Sequence, residues 1–408
     1  MSRESDSLMS SMIDEVSACC SRAFHTGSLL LRGSPHAAGW ILGWLSTEFA
    51  PHVLTGHALS VVGVSPLERI ACELAGRRAD TVLDTALRET FGDGYRDAVH
   101  HPLEPYTARQ PRVGGLVDAM RHRSRYSATT TDIPYGPGGR SHLLDVWRRP
   151  DLPDDYRAPV LIQVPGGGWS VNDKRGQGYP LMSRMVELGW ICVSINYSRS
   201  PRNAWPAHII DVKRAIAWVR ANIAEYGGDP DFIAITGGSA GGHLASLAAL
   251  TAGDERLQPG FEDADTTVQA AAPHYGVYDL TNVDNMHGLM MPLLEHVVMQ
   301  TRFADNPQLY RDASPMFRVH PDAPPFFVLH GENDAVVPST QALSFCTALR
   351  EAGATAVSHA AIPNAHHAFD TIATLRCQMT AEAVAAFLGI TYGRHAAASK
   401  SMAVSSAS

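Results

Sequence analysis

The chain has 408 residues, 45% of them hydrophobic and 18% charged, with a formal net charge of −8. That composition suits a large packed core and excludes a disordered polypeptide. The acidic balance, with no Lys/Arg stripe, excludes a nucleic-acid partner from the expected functions.

The opening segment, MSRESDSLMSSMIDEV, has no basic stretch followed by an apolar one, so no secretory signal is expected. AAGWILGWL, Ala37–Leu45, is nine residues. A bilayer-spanning helix needs about 20. A buried helix is the expectation there, with an interfacial segment resting on Trp40 and Trp44 as the alternative. SPLE, Ser65–Glu68, carries a capping-box pattern with Pro66 in the first turn. The helix it starts runs through Arg88, with Ile70, Leu74, Leu83 and Leu87 available for an apolar face. Gly92–Gly94 and a loop rich in His and Pro end it. Residues 1–120 are therefore expected to form a helical N-terminal extension or cap region.

At Arg125 the character changes. RYSATTTDIPYG and SHLLDVWRR read as two strands around a Pro-Gly turn. PVLIQV (Pro159–Val164), WICVSINY (Trp190–Tyr197), DFIAIT (Asp231–Thr236) and PFFVLH (Pro325–His330) are short continuous apolar runs. Such runs suit strands buried on both faces. Between two of them, Ile209, Val212, Ile216, Val219 and Ile223 mark one helical face, with Pro206 at the start and Gly227–Gly228 at the stop. Strands alternating with helices predict an α/β fold, a mostly parallel sheet flanked by helices. The catalytic domain is expected over 121–392, and the small, polar tail 393–408 is expected to be disordered. The cysteines Cys19, Cys20, Cys72, Cys192, Cys346 and Cys377 form no CxxC pair. Buried free thiols are expected, which suits a reducing, cytoplasmic location.

One motif carries chemistry. Gly237-Gly238-Ser239-Ala240-Gly241 matches G-x-S-x-G, follows a predicted strand and precedes an alanine-rich helix, His243–Leu250. That strand–turn–helix context is what a nucleophile elbow requires. A serine hydroxyl needs a base, and the base an orienting acid. HGENDAVVP, His330–Pro338, offers Asp334 just past a strand, with Glu332 as competitor, and AIPNAHHAFD, Ala361–Asp370, offers His366 and His367. Acyl transfer also needs donors for the developing oxyanion. Gly166-Gly167-Gly168 after the strand PVLIQV offers unobstructed N–H groups, and Ala240 offers another at the start of its helix. A phosphate-binding loop is the alternative for such glycines, but GxxxxGK[ST] is absent and no GxGxxG opens a helix after an early strand.

In order, PGGGW, INYSRSP, WPAHIIDV, GGDPDFIAITGGSAGGHLA, HGENDAVVP and HHAFD resemble the hormone-sensitive-lipase-like group of α/β-hydrolase esterases. More narrowly they resemble its bacterial carboxylesterase branch with a long N-terminal extension. The resemblance covers roughly 125–389 and implies the α/β-hydrolase fold. It implies Ser239 as nucleophile, Asp334 as triad acid and His367 as base, because His367-Ala368-Phe369 fits the family's H-[GA]-F. It implies Gly167, Gly168 and Ala240 as oxyanion donors, a structural role for Asp211, and no metal or organic cofactor. Two positions depart from the family: Pro165 stands where a histidine usually precedes the glycines, and Gly238 where an aspartate often precedes the serine. A cap insertion is expected at about Thr281–Ser314. Its Met286, Met290, Met291 and Met299, with Leu289, Leu293 and Leu294, suit either an acyl-binding wall or a core helix.

The sequence thus reads as a serine carboxylic-ester hydrolase of carboxylesterase or lipase-like type. Its substrate would be a small-molecule ester, lipid-like in one version, with peripheral membrane contact in another. The alternatives are an amidase, formamidase or peptidase with the same triad, or a non-catalytic binder on the same fold.

Overall fold

The computed structural model describes residues 66–103, 115–127, 130–153, 155–171, 173–284, 286, 288–371 and 374–406, with only the backbone course described for 66–77, 115–120 and 402–406. The Ala37–Leu45 stretch and Ser65 lie outside these. The helices are α1 (Pro66–Phe91), α2 (Gly115–Tyr126), α3 (Tyr179–Glu187), α4 (Ala207–Asn222), α5 (Ala240–Leu250), α6 (Met290–Leu293), α7 (Pro307–Ala313), α8 (Ser339–Glu351) and α9 (Leu375–Ser406). The strands are β1 (Ile133–Pro134), β2 (Leu143–Trp147), β3 (Ala158–Val164), β4 (Ile191–Ile195), β5 (Gly228–Gly238), β6 (Ala270–His274), β7 (Phe326–Gly331) and β8 (Val357–Ile362).

The strands form one sheet in the order β1-β2-β4-β3-β5-β6-β7-β8. The first two pairings, β1 with β2 and β2 with β4, are antiparallel, and the rest are parallel. This is the mostly parallel α/β-hydrolase sheet. Side chains alternate across it as the pleat dictates. Along β3, Val160, Ile162 and Val164 enter one apolar layer and Leu161 the other. The first layer holds Ile209, Val212, Ile216 and Val219 of α4, the helical face read from the sequence. The second holds Met182 and Met185 of α3 and Val384, Phe387 and Leu388 of α9.

Burial and helix length bear on the ends of the domain. The chain divides into two compact units, 1–75 and 76–408, so residues 76–126 fall in the same unit as the sheet. The reason is burial: Ala79, Leu83, Ala86 and Leu87 of α1 enter the same apolar layer as α9. At the other end of the chain α9 continues to Ser406. Its Ala, Lys and Met residues are strong helix formers, and a buried first half supplies the costly nucleus. Within 281–314, Met286, Met290, Leu294 and Met299 are buried in the main core, so these four are core residues. Strand β6 carries no strand signal in its sequence. Its sequence AAAPH lacks branched or aromatic residues, and pairing on both sides overrides that weak propensity.

Candidate active site

Parallel pairing brings the strand ends into line. Val164 of β3 pairs with Gly237 of β5, Gly238 pairs with His274 of β6, and His274 pairs with Leu329 of β7. The loops after β3, β5, β6 and β7 therefore leave the sheet at one edge, where sites collect in such folds. At that edge Ser239 joins β5 to α5 with φ 58° and ψ −123°. A left-handed φ is uncommon for a non-glycine residue. It is held by two main-chain bonds: Ser239 N–H donates to His274 O at 3.0 Å, and Ser239 O accepts from His243 N–H at 3.0 Å. The neighbours of the serine must be small. A Cβ on Gly241 would overlap the Val164 carbonyl oxygen and stand 2.9 Å from the Pro165 carbonyl carbon. A Cβ on Gly238 would stand 2.5 Å from the Tyr275 hydroxyl, so the space of an absent side chain is filled by a phenol.

His367 reaches Ser239 from the loop after β8. Its Nε2 lies 2.8 Å from Ser239 Oγ, and its Nδ1 lies 2.7 Å from Asp334 Oδ2. A carboxylate only accepts, so Nδ1 carries the proton and Nε2 is free to accept from the serine hydroxyl. Asp334 is buried and fully engaged. Oδ1 accepts the N–H groups of Val336 at 2.8 Å and Val337 at 2.9 Å, and His330 Nε2 stands 3.1 Å from Oδ2. Burial pushes this carboxyl up, but the His367 imidazole and the hydrogen bonds from His330 and His367 outweigh it and hold the group well below the usual carboxylate range. The competitors lie elsewhere. Glu332 accepts from Asn364 N–H at 3.3 Å, and His366 Nδ1 is 3.1 Å from Asn333 O. Asp211 stands 2.8 Å from His142 Nε2 and accepts from Ser198 N–H at 2.8 Å.

The glycine loop leaves β3 beside the elbow and is pinned on both sides. Gly166 N–H donates to Gln177 Oε1 at 2.7 Å. Gly167 and Gly168 follow, and then Trp169, whose Nε1–H donates to Nδ1 of His243 on α5 at 3.0 Å. The opposite nitrogen of His243 donates to Ala313 O at 2.7 Å. One neutral imidazole so joins the loop, helix α5 and the end of α7. Burial supports that neutrality, lowering the His243 pKa to about 4. Ala240 is the first residue of α5, where backbone N–H groups lack intrahelical partners.

A group that sequence reasoning missed lies beside His367. The Asp370 carboxylate accepts from His274 Nδ1 and from the Tyr275 hydroxyl. Asp370 closes the HHAFD segment, and the other two lie at the end of β6, whose sequence carries no strand signal. The linking roles of His330, Trp169 and His243 were missed as well, since single residues in a sequence carry no sign of a cross-chain partner. Among the described residues, no group of three or more His, Cys, Asp or Glu could hold a metal ion.

Comparison with known proteins shows what the chain is similar to. Residues 144–349 match the BD-FAE family. The chain is similar to Esterase LipQ of Mycobacterium tuberculosis, 63% identical over 93% of this chain and 91% of that one. It is also similar to the probable carboxylic ester hydrolase LipM of the same organism, 50% identical over 88% of each. Among solved structures it resembles Thermogutta terrifontis esterase 2, with a TM-score of 0.54 and 25% identity over 64% of this chain and 94% of that one.

Proposed function

The chain belongs to the BD-FAE family of hormone-sensitive-lipase-like α/β-hydrolases, and from that premise we propose that its ester hydrolysis runs through Ser239, His367 and Asp334. It is a carboxylesterase-type serine hydrolase, and its substrate is a small-molecule ester. The observation that carries the assignment is the unbroken run from Ser239 Oγ to His367 Nε2, 2.8 Å, and from His367 Nδ1 to Asp334 Oδ2, 2.7 Å.

Ser239 Oγ attacks the ester carbonyl carbon as its proton passes to His367 Nε2. The carbonyl oxygen takes up negative charge and turns toward the N–H groups of Gly167, Gly168 and Ala240. Each such donor is worth about 2.7–4 kcal/mol to the transition state. The imidazolium forms beside the Asp334 carboxylate, which stays ionised and stabilises it. His367 then gives its proton to the leaving alcohol and the C–O bond breaks, leaving an acyl-serine. Water, losing a proton to the same nitrogen, attacks that acyl group. The acid leaves and the proton returns to Ser239.

Kinetics of the variants tests this. Ser239→Ala and His367→Ala should each lower kcat/KM for a p-nitrophenyl ester on the order of 10⁴-fold or more, with His366→Ala within about twofold. Full activity in Ser239→Ala, or equal losses at the two histidines, would remove the assignment. A matching anilide, turned over far more slowly than the ester, separates esterase from amidase. A panel from acetate to palmitate reads acyl length, and a lipid-like substrate predicts a rate that rises with the chain. Cys192, Cys346 and Cys377 are buried free thiols, in support of a cytoplasmic, reducing location. Among the described residues, no helix is long and apolar enough to cross a membrane.

A further inference from the structure

Asp370 sits three residues beyond His367 on the same turn, and both its oxygens are engaged by consecutive residues at the end of β6. Oδ2 accepts from His274 Nδ1 and Oδ1 from the Tyr275 hydroxyl. The same two residues hold neighbouring strands through their main chain. His274 O accepts the N–H of Ser239 at 3.0 Å, and Tyr275 N–H donates to Leu329 O at 2.7 Å. The Tyr275 ring stands edge-on to the His367 imidazole, with centroids 4.8 Å apart at 60°. One dipeptide therefore grips the nucleophile through its backbone and the base-bearing turn through its side chains.

We propose that His274, Tyr275 and Asp370 are positioning residues that act through Ser239 and His367, setting the spacing from Oγ to Nε2 and barring rotation of the imidazole out of line. This rests on the triad assignment above. Three features separate it from an ordinary buried polar network. The phenol is placed against the one ring whose orientation decides proton transfer. Tyr275 is held at φ 36°, a left-handed backbone that a bulky residue rarely adopts. And residue 238 is a glycine, which leaves room for the hydroxyl to reach Asp370. Burial pushes the Asp370 carboxyl up, but the His274 imidazole and the two side-chain hydrogen bonds outweigh it and keep the group below the ordinary carboxylate value. The tie is therefore charge-assisted at neutral pH, which shortens and strengthens it. Proton transfer between Ser239 and His367 is sensitive to misplacements of about 1 Å.

The test uses the full chain with p-nitrophenyl acetate and a fluorophosphonate probe. Asp370→Ala should lower kcat by about tenfold or more and slow labelling of Ser239 by a similar factor, because the base turn is untied. Its KM should stay within about twofold, since no substrate-contacting group is removed. Asp370→Asn keeps an acceptor oxygen for the Tyr275 hydroxyl, and the other His274 tautomer accepts from the amide, so it should restore most of the lost kcat. Tyr275→Phe keeps the ring and cuts the tie, and should lower kcat severalfold. Wild-type kcat in Asp370→Ala and Tyr275→Phe, or changes confined to KM and melting temperature, would overturn the proposal. If Asp370→Ala does not fold, Tyr275→Phe decides, and an unchanged kcat there overturns it. A wild-type protein that the probe does not label would instead strike at the triad assignment.

Discussion

Ser239 is prepared by its neighbours before any substrate arrives. A left-handed φ of 58° costs on the order of 1–3 kcal/mol at a non-glycine residue, and the turn persists because pairing around it over-determines the backbone. Gly241 shows how little space that leaves, with the Val164 and Pro165 carbonyl groups standing where a Cβ would go. Gly241→Ala drives a methyl into main-chain atoms that cannot swing aside. We expect a loss of about 1–3 kcal/mol of stability, together with reduced kcat as the glycine loop is pushed from the elbow. Thermal melting and ester kinetics on one preparation check both. An unchanged melting temperature would show that the loop has freedom the geometry denies it. The choice of His367 over His366 also belongs to this scale. The motif resemblance pointed to His367, and the structure shows the difference as direction: one imidazole faces Ser239 and the other faces Asn333 O.

Among the elements, the link that sequence reading could not supply is the bridge Trp169–His243–Ala313. It joins the loop after β3, helix α5 and the end of α7, elements separated by 74 and 70 positions in the chain. Trp169→Phe keeps most of the apolar volume and removes the indole donor, leaving His243 Nδ1 as a buried acceptor without it. The expected cost is about 1–3 kcal/mol of stability. Because the loop also carries Gly167 and Gly168, kcat should fall more than KM rises. Urea unfolding alongside steady-state kinetics checks this, and a stability loss with untouched kcat would mean that the bridge only braces the fold. Strands β3, β4, β5 and β7 were legible from their continuous apolar runs, and β1 and β2 from the Pro-Gly turn between them. Strand β6 was not, because three alanines and a proline announce nothing until both neighbours pair with them.

For the molecule as a whole, buried histidines set the response to acid. Burial lowers His208 and His243 to about 4 and His101 to about 3, from an ordinary value of 6.5. The folded state thus refuses protons that the unfolded chain accepts below about pH 6.5. Stability is complete above that pH and falls as pH drops toward 4, by about 1.4 kcal/mol per unit for each site that titrates fully. The depressed carboxylate of Asp334 acts in a lower window: its contribution is present above about pH 4 and is lost below it. Calorimetry from pH 7.5 to 4.5 should show a falling melting temperature, and an unfolding enthalpy that depends on buffer ionisation as protons are taken up. A flat profile across that range would mean that these imidazoles are not held neutral.

The sequence by itself determined the sheet class and the glycine-flanked serine, because those rest on local signals, apolar runs and turn chemistry; its residues left His366 and His367, and Glu332 and Asp334, open, and only the motif resemblance pointed to His367 and Asp334. It could not decide how residues 76–126 and the segment after 392 pack, where the deciding quantity is whether an amphipathic face finds a partner layer. Only the tertiary structure decided that the Asp370 carboxylate is tied to His274 and Tyr275 and that His243 joins three elements. Those facts depend on which strand ends lie side by side, and strand order is a property of long-range pairing that no short stretch of sequence contains.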